Sequence, residues 1–465
     1  MVEPGRLIAT LAAGVLVTGC VTYEPAPLDG EAEFAALRAT TLSGFVVEHA
    51  RPGEGADAGT GAFDAADGLS ESELVAVALT LNPALRSQRL EIEEARALLV
   101  GAGVWPNPEV GVSWQAGLGG APGPSVAVDL LMDLLRPTRR SARIGAAAAR
   151  TEEATASVVA AEWRVVRETR LQRLEVLAAE QLLALLGDEV ALRERTYEFA
   201  ERSRAAGEGT ELDVSAAELE VADVRRERRR AETELESARR ALNAILGLPP
   251  GFVVRLAESE KPLTVTVFED VSDDDLERRL LAGRFELRAL EAAYRRSEHE
   301  LRLAIAGQFP KFDVGLAFDR EGAGEKFLGP AAEIEIPLFD RNRGEIAEKL
   351  SGRDRVRAAY VAELHRVRAE AYDGRALLRR ARLELEAQDR EVLPLVRRNE
   401  DLVERAFRAR ELDVFARAVA RERSLRARRA YLETLVRYQR AVVEVETATA
   451  MPLGRPAVPT APEQK

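Results

Sequence analysis

Two rhythms alternate along this chain. In the first, apolar residues step by three and four, as in Leu171, Leu174, Ala178, Leu182 and Leu185, then in Ala231, Leu235, Ala238, Leu242 and Ile245. That spacing lays one apolar stripe along a helix and suits coiled-coil packing. In the second, apolar and polar or small residues alternate. Val110, Val112 and Trp114 oppose Gly111, Ser113 and Gln115, and Val126, Val128 and Leu130 oppose Ala127 and Asp129. Phe312, Val314, Leu316 and Phe318 oppose Asp313, Gly315, Ala317 and Asp319, and Ile334, Ile336 and Leu338 oppose Glu333, Glu335 and Pro337. A period of two is a strand with one apolar face.

The rhythms predict an order of elements. A helix capped by the "SESE" run runs over 70–103, and a hairpin follows with a Gly/Pro turn. A helix of roughly 65 residues begins at Arg139 and breaks at "AAGEGTELDV". Another covers 211–246 and stops at "LGLPPG". After a connector the programme recurs: helix 273–306, second hairpin, long helix 343–409 and last helix 411–450. Echoes are literal, roughly 200 residues apart: Trp105-Pro106 answers Phe309-Pro310, "DLLRPTRR" answers "PLFDRNRG", and Leu212-Asp213-Val214 answers Leu412-Asp413-Val414. The chain therefore divides into 1–20 (export signal), 21–68 (extended leader), 69–250 (first repeat), 251–272 (connector), 273–453 (second repeat) and 454–465 (disordered tail).

The expected fold is mainly α, with a duplicated helix–hairpin–long helix–helix unit and a small membrane β part. Two hairpins are too few strands for a sandwich, and four strands cannot close a membrane barrel, which needs about eight. Pooling strands among three copies gives about twelve, with apolar faces to lipid and Asp129, Asp313, Glu333 and Glu335 toward water. The lipid-facing set is then Val110, Val112, Trp114, Val126, Val128, Phe312, Val314, Leu316, Phe318, Ile334 and Ile336. Trp105, Trp114, Phe309 and Phe327 have two readings, interfacial anchor or core. A helix of 65 residues rises about 100 Å at about 1.5 Å per residue. Bundled with its neighbours it would continue such a barrel as a helical tube.

Composition narrows the function. The chain has 465 residues, 46% of them hydrophobic, 31% charged and 5% aromatic, with a formal net charge of −12. An acidic balance argues against nucleic acid, and the basic run "RRERRR" reads as a solvated helix face. The N-terminus carries Arg6, an apolar run over 7–17 too short to span a bilayer, and Val17-Thr18-Gly19-Cys20. That run resembles a bacterial lipobox, in which Cys20 takes a covalent lipid. Val21 after it favours outer-membrane sorting. No other cofactor is indicated. His49, His299 and His365 are scattered without metal-ligand spacing, and no nucleophile elbow or phosphate loop occurs. Catalysis is not expected.

The ordered fragments "LTLNPALRSQRLEIEEARA", "WPNPEVGVSWQ", "RSRAAGEGTELDVSAAELEVADVRRE", "FPKFDVGLAFD", "EIPLFDRNRGEI", "EVLPLVRRNEDLVERAFRARELDVFARA" and "RRAYLETLVRYQRAVVEVETATAMPL" resemble the TolC-like outer-membrane efflux protein family over about 70–453. The resemblance implies a homotrimer in the bacterial outer membrane, a twelve-stranded barrel joined to an α-helical barrel in the periplasm. It also implies a periplasmic adaptor and an inner-membrane pump as partners, and passive conduction of drugs or metal cations. "EVLP" and the lipobox lean toward the ducts of resistance–nodulation–division pumps. By the same resemblance, two helix–helix tips meet the adaptor: Gly207, Gly209 and Thr210 at one, Arg408 and Arg410 at the other. At the second tip the usual glycine is missing and Arg410 stands there. Asp213 and Asp413 correspond to entrance-narrowing aspartates; the other reading is that they cap helix starts. Ala416 occupies the place of a further acid. The alternative class is a periplasmic adaptor or helical lipoprotein without a pore.

Overall fold

The computed structural model describes residues 22–42, 68–115, 124–132, 137–257, 272–321, 324–409, 411–412 and 414–449. Cys20 and the export signal, most of the connector and the tail lie outside the described residues. The leader, expected to be extended, contains a helix, α1 (Gly30–Ala39). Its sequence is rich in Ala and Glu, and the Asp29 carboxylate accepts the Glu31 and Ala32 N–H groups at 3.0 and 3.1 Å. The leader up to Thr41 belongs to a unit of its own, and Leu42 onward belongs to the other.

In the larger unit the two repeats follow the same plan. The first is α2 (Glu71–Leu81), α3 (Pro83–Gly103), β1 (Glu109–Gln115), β2 (Ser125–Met132), α4 (Pro137–Ala205) and α5 (Glu211–Leu246). The second is α6 (Asp273–Gly283), α7 (Phe285–Gly307), β3 (Lys311–Arg320), β4 (Lys326–Glu335), α8 (Arg343–Ala387), α9 (Leu393–Arg408) and α10 (Val414–Thr449). Each expected opening helix is thus two helices. In the first repeat Pro83 has no N–H and holds Asn82 extended, and Asn82 then caps α3 with its side chain. In the second the break falls at Arg284, with no proline and no side-chain cap.

The helix expected over 343–409 also departs from regularity. Between α8 and α9, Gln388–Val392 form a π-helical turn. Pro394, in the first turn of α9, cannot donate to the carbonyl four residues back, and the widened turn absorbs that loss.

The 69 residues of α4 run continuously. Arg89–Glu162 (2.6 Å) and Arg296–Glu153 (2.7 Å) pair α3 and α7 with its first half. Further along, Arg193 reaches Glu220 of α5 at 2.7 Å and Glu422 of α10 at 3.1 Å. With partners on several sides, α4 buries more than the single stripe its leucine spacing suggested: Val176 and Val190 are buried alongside Leu174, Leu177 and Leu186. The "RRERRR" run pairs with acids of its own and neighbouring helices, including Arg225–Glu194 and Arg230–Glu234. Such exposed pairs contribute about 0–1 kcal/mol each.

The main core lies where α3 begins and α5 ends. Leu69, Leu74, Val77, Leu85, Leu177, Leu242 and Leu246 meet there, and the Asn82 amide donates to the Ile245 carbonyl at 2.9 Å. Gly247 closes α5 in the left-handed region (φ 70°). A Cβ at Gly247 would lie 2.4 Å from the Leu81 carbonyl oxygen. Gly247→Val is therefore expected to cost at least about 1–2 kcal/mol for the backbone alone, with the clash added; thermal denaturation would read it.

Candidate channel-forming site

The four strands form one antiparallel sheet in the order β1-β2-β3-β4, so β2 and β3 join the two repeats and β1 and β4 are its edges. Its register sorts side chains by parity. Val110 lies opposite Leu130, Leu130 opposite Leu316, and Leu316 opposite Pro330. Val112, Val128, Phe318 and Leu328 make the next row, and Phe312 lies opposite Ile334. Directly opposed residues share a face. All the strand residues expected on the lipid side thus fall on one even-numbered face: Val110, Val112, Trp114, Val126, Val128, Phe312, Val314, Leu316, Phe318 and Ile334. Leu130, Met132 and Leu328 extend it.

The odd-numbered face carries Asp129, Asp313, Asp319 and Glu333 among small residues such as Gly111, Gly315 and Gly329. Along β3 the even residues Phe312, Leu316 and Phe318 are exposed, while Asp313 is buried and pairs with Lys311 at 2.9 Å. The polar side is the sheltered one, as on a sheet curling around it. At Gly315 the shelter is tight: a Cβ there would lie 1.7 Å from the Leu130 carbonyl oxygen.

Two expectations for the sheet change. Ile336 does not belong to a strand; the ladder ends at the Glu335–Lys311 pair. Pro337 cannot donate to a neighbouring strand, and the Leu338 N–H turns back to the Ile336 carbonyl at 2.9 Å. Phe327 lies opposite Asp319, on the polar face rather than the apolar one. Trp105 and Phe309 sit where helix gives way to strand, at least half exposed. Sequence reasoning missed what holds that junction. Arg140 donates to the Gly103 carbonyl at 2.6 Å and lies 4.9 Å from the Trp105 ring, while Arg143 reaches the Ala102 and Val104 carbonyls at 3.1 and 2.9 Å. Only the "RPTRR" cluster hinted at it, as cations near a helix C-terminus.

At the far end of the long helices, α4 passes to α5 through Gly207 (φ 79°). The Glu208 N–H donates to the Ser203 carbonyl at 2.9 Å, which closes the α4 end. Thr210 and Asp213 cap α5 reciprocally: the Thr210 N–H and hydroxyl donate to Asp213 Oδ2 at 2.9 and 2.7 Å, and the Asp213 N–H donates to the Thr210 hydroxyl at 3.2 Å. Gly209 packs against Ser203, where a Cβ would come within 3.2 Å. At the second tip the Glu411 N–H donates to the Ala406 carbonyl at 2.9 Å, and Arg408 pairs with Glu404. Arg410 and Asp413 lie outside the described residues.

The bonds from Thr210 hold the Asp213 carboxyl below the usual carboxylate range. A depressed folded pKa means the cap is complete above about pH 4, the unfolded value, and is lost as pH falls through the folded one. Amide protection at Asp213 and Val214, measured against the intrinsic exchange rate at the same pH, should therefore fall only in acid. Thr210→Ala should lower it at neutral pH, by about 1 kcal/mol of lost cap.

Among the described residues no group of three or more His, Cys, Asp or Glu is placed to hold a metal, and no helix is long and apolar enough to cross a membrane. A sheet with an exposed apolar face, continued by helices of up to 69 residues, defines instead the class of outer-membrane channels with a periplasmic helical extension.

Residues 74–248 match the family described as outer membrane efflux protein. The cobalt-zinc-cadmium resistance protein CzcC of Cupriavidus metallidurans is 26% identical over 306 residues, 64% of this chain and 70% of that protein. The outer-membrane channel OprN shares the fold with a TM-score of 0.69 at 19% identity, over 82% of this chain and 89% of its own. The CmeC outer membrane channel of Campylobacter jejuni does so with a TM-score of 0.66 at 13% identity, over 93% and 94%. Channels of this family form trimers in efflux systems.

Proposed function

We propose that three copies of this chain close a twelve-stranded barrel and conduct metal cations or drugs passively from an inner-membrane pump, through a periplasmic adaptor, to the exterior. The observation that carries it is the pair of open edges, β1 and β4, on a sheet whose apolar face is exposed. Unpaired strand edges are not tolerated in hydrocarbon, so each edge requires a strand from another copy. Cys20 would carry the lipid anchor. The tips around Gly207, Gly209, Thr210 and Arg408, with Arg410, would meet the adaptor, and the "EVLP" segment and the lipobox-like run favour a pump of the resistance–nodulation–division type. Asp213 is engaged as a cap, so a ring of Asp413 is the better candidate for an acidic entrance. Metal cations take precedence over drugs because of the likeness to CzcC.

Paired cysteines test the closure. In one chain β1 and β4 are three strand spacings apart, about 14 Å at about 4.8 Å each, too far for a disulfide. Ser113→Cys combined in turn with Phe327→Cys, Gly329→Cys or Ala331→Cys should give oxidised species of two and three chains in the membrane. Chains that remain single in every combination would sink the barrel.

A further inference from the structure

The turn that follows β4 is the least covered apolar stretch near the sheet. Ile336, Leu338 and Phe339 are 63%, 70% and 101% exposed, although the sheet that carries them has just ended. Two arginines follow within four residues, Arg341 and Arg343, the second opening α8. Both are exposed, and among the described residues neither has a hydrogen-bond or ion-pair partner. The carboxylate of Asp340 is turned to the Asn342 N–H at 2.9 Å, not to either of them.

Comparison of the two repeats explains why these arginines are unengaged. In the first repeat Arg140 and Arg143 bind the carbonyls that end α3. In the second the equivalent duty falls to Asn342, whose amide donates to the Ala304 carbonyl of α7 at 2.9 Å. Asn342 takes positive φ (58°) to reach it, and the adjoining residue Gly307 leaves room, since a Cβ there would lie 2.6 Å from the Asn342 amide nitrogen. With that carbonyl satisfied by a neutral amide, Arg341 and Arg343 have no structural task.

We propose that residues 336–343 form a headgroup site for anionic phospholipid of the leaflet facing the periplasm. Ile336, Leu338 and Phe339 enter the acyl boundary, and Arg341 and Arg343 take the phosphate. The inference rests on the reading of the sheet as part of a membrane barrel. The turn lies at the helical end of that sheet, next to Ile334 on its apolar face, so it falls at the periplasmic edge of the bilayer. Guanidinium groups match phosphate oxygens in a two-pronged geometry and lose little hydration on doing so. Aromatic and aliphatic side chains beside them supply the attachment to lipid that free phosphate lacks.

The test places the full-length protein in vesicles that contain brominated phosphatidylglycerol or brominated phosphatidylcholine. Phe339→Trp adds a reporter, read as the quenching beyond that of the native tryptophans. The expected result is a preference for phosphatidylglycerol of at least about fivefold, the effect of one basic side chain near an anionic surface. Arg341→Gln with Arg343→Gln should bring the preference to one. Arg355→Gln with Arg357→Gln, exposed arginines further along α8, should leave it unchanged. Without any charge variant, raising salt from about 0.1 M to about 1 M shortens the Debye length from about 10 Å to about 3 Å and should shrink the preference. Equal quenching by both lipids would overturn the headgroup site and leave the barrel standing. No added quenching by either would remove the turn from the bilayer, and with it the barrel reading on which the site depends.

Discussion

Leu316→Arg is expected to abolish the folded outer-membrane form, while Ala317→Arg, one residue along the same strand, retains it. Leu316 is at the middle of β3, between Leu130 and Pro330 on the apolar face, and is 56% exposed in the isolated chain. In a barrel that exposure is to hydrocarbon. Arginine at the midplane of a membrane barrel costs about 2–4 kcal/mol, and a trimer incurs that cost three times. Ala317 faces the other way, opposite Asp129 and Gly329, where a guanidinium finds water and a carboxylate. The amount of trimer recovered from outer membranes separates the two variants. If both assembled equally well, the even-numbered face would not be the lipid face.

The second large effect is expected in the helical part, at Tyr438→Ala. Tyr438 is 1% exposed and lies with Ala381, Leu385, Leu435 and Val442 in the small core that joins α8 to α10. Truncating a buried aromatic of this size costs about 3–5 kcal/mol. The position also matters, because the π-helical turn at Gln388–Val392 follows this core directly, and α9 beyond it has no buried residues. Losing Tyr438 removes the largest side chain of the core that borders this turn. Chemical denaturation should show the destabilisation, and limited proteolysis should show earlier cleavage within α9. Leu402→Ala, on α9 at 49% exposure, is the contrasting case and should change stability by less than about 0.5 kcal/mol.

Much of this architecture is legible in the sequence for a simple reason: strands with one face in lipid and one in water must alternate strictly. The ten strand residues chosen by parity share a face because alternation leaves no other arrangement. The first tip is equally plain, since Gly207 and the Thr210–Asp213 pair are local signals with local causes. Local signals also mislead: the alternation carries the strand through Pro337, whereas β4 ends at Glu335 and begins as early as Lys326, taking in Pro330.

Other features depend on contacts distant in sequence. The break at Arg284 carries no proline. It is held by Glu286 at 3.6 Å and by Glu370 of α8 at 2.9 Å, a partner that no local pattern identifies. The same holds for Asn342, whose left-handed backbone makes sense only beside Ala304 and Gly307. The roles of Arg140 and Arg143 likewise depend on the end of α3, 37 to 41 residues earlier in the chain. Pro394 marks a disturbance of the helix but does not by itself specify a π-helical turn.

The most direct test of the account is the number and arrangement of chains in the detergent-extracted protein. Light scattering gives the mass, and single-particle electron microscopy gives symmetry and length. The account predicts three chains in a threefold particle longer than about 100 Å, as helices of this length at about 1.5 Å per residue require. Monomers, or protein that never enters the membrane fraction, would contradict it.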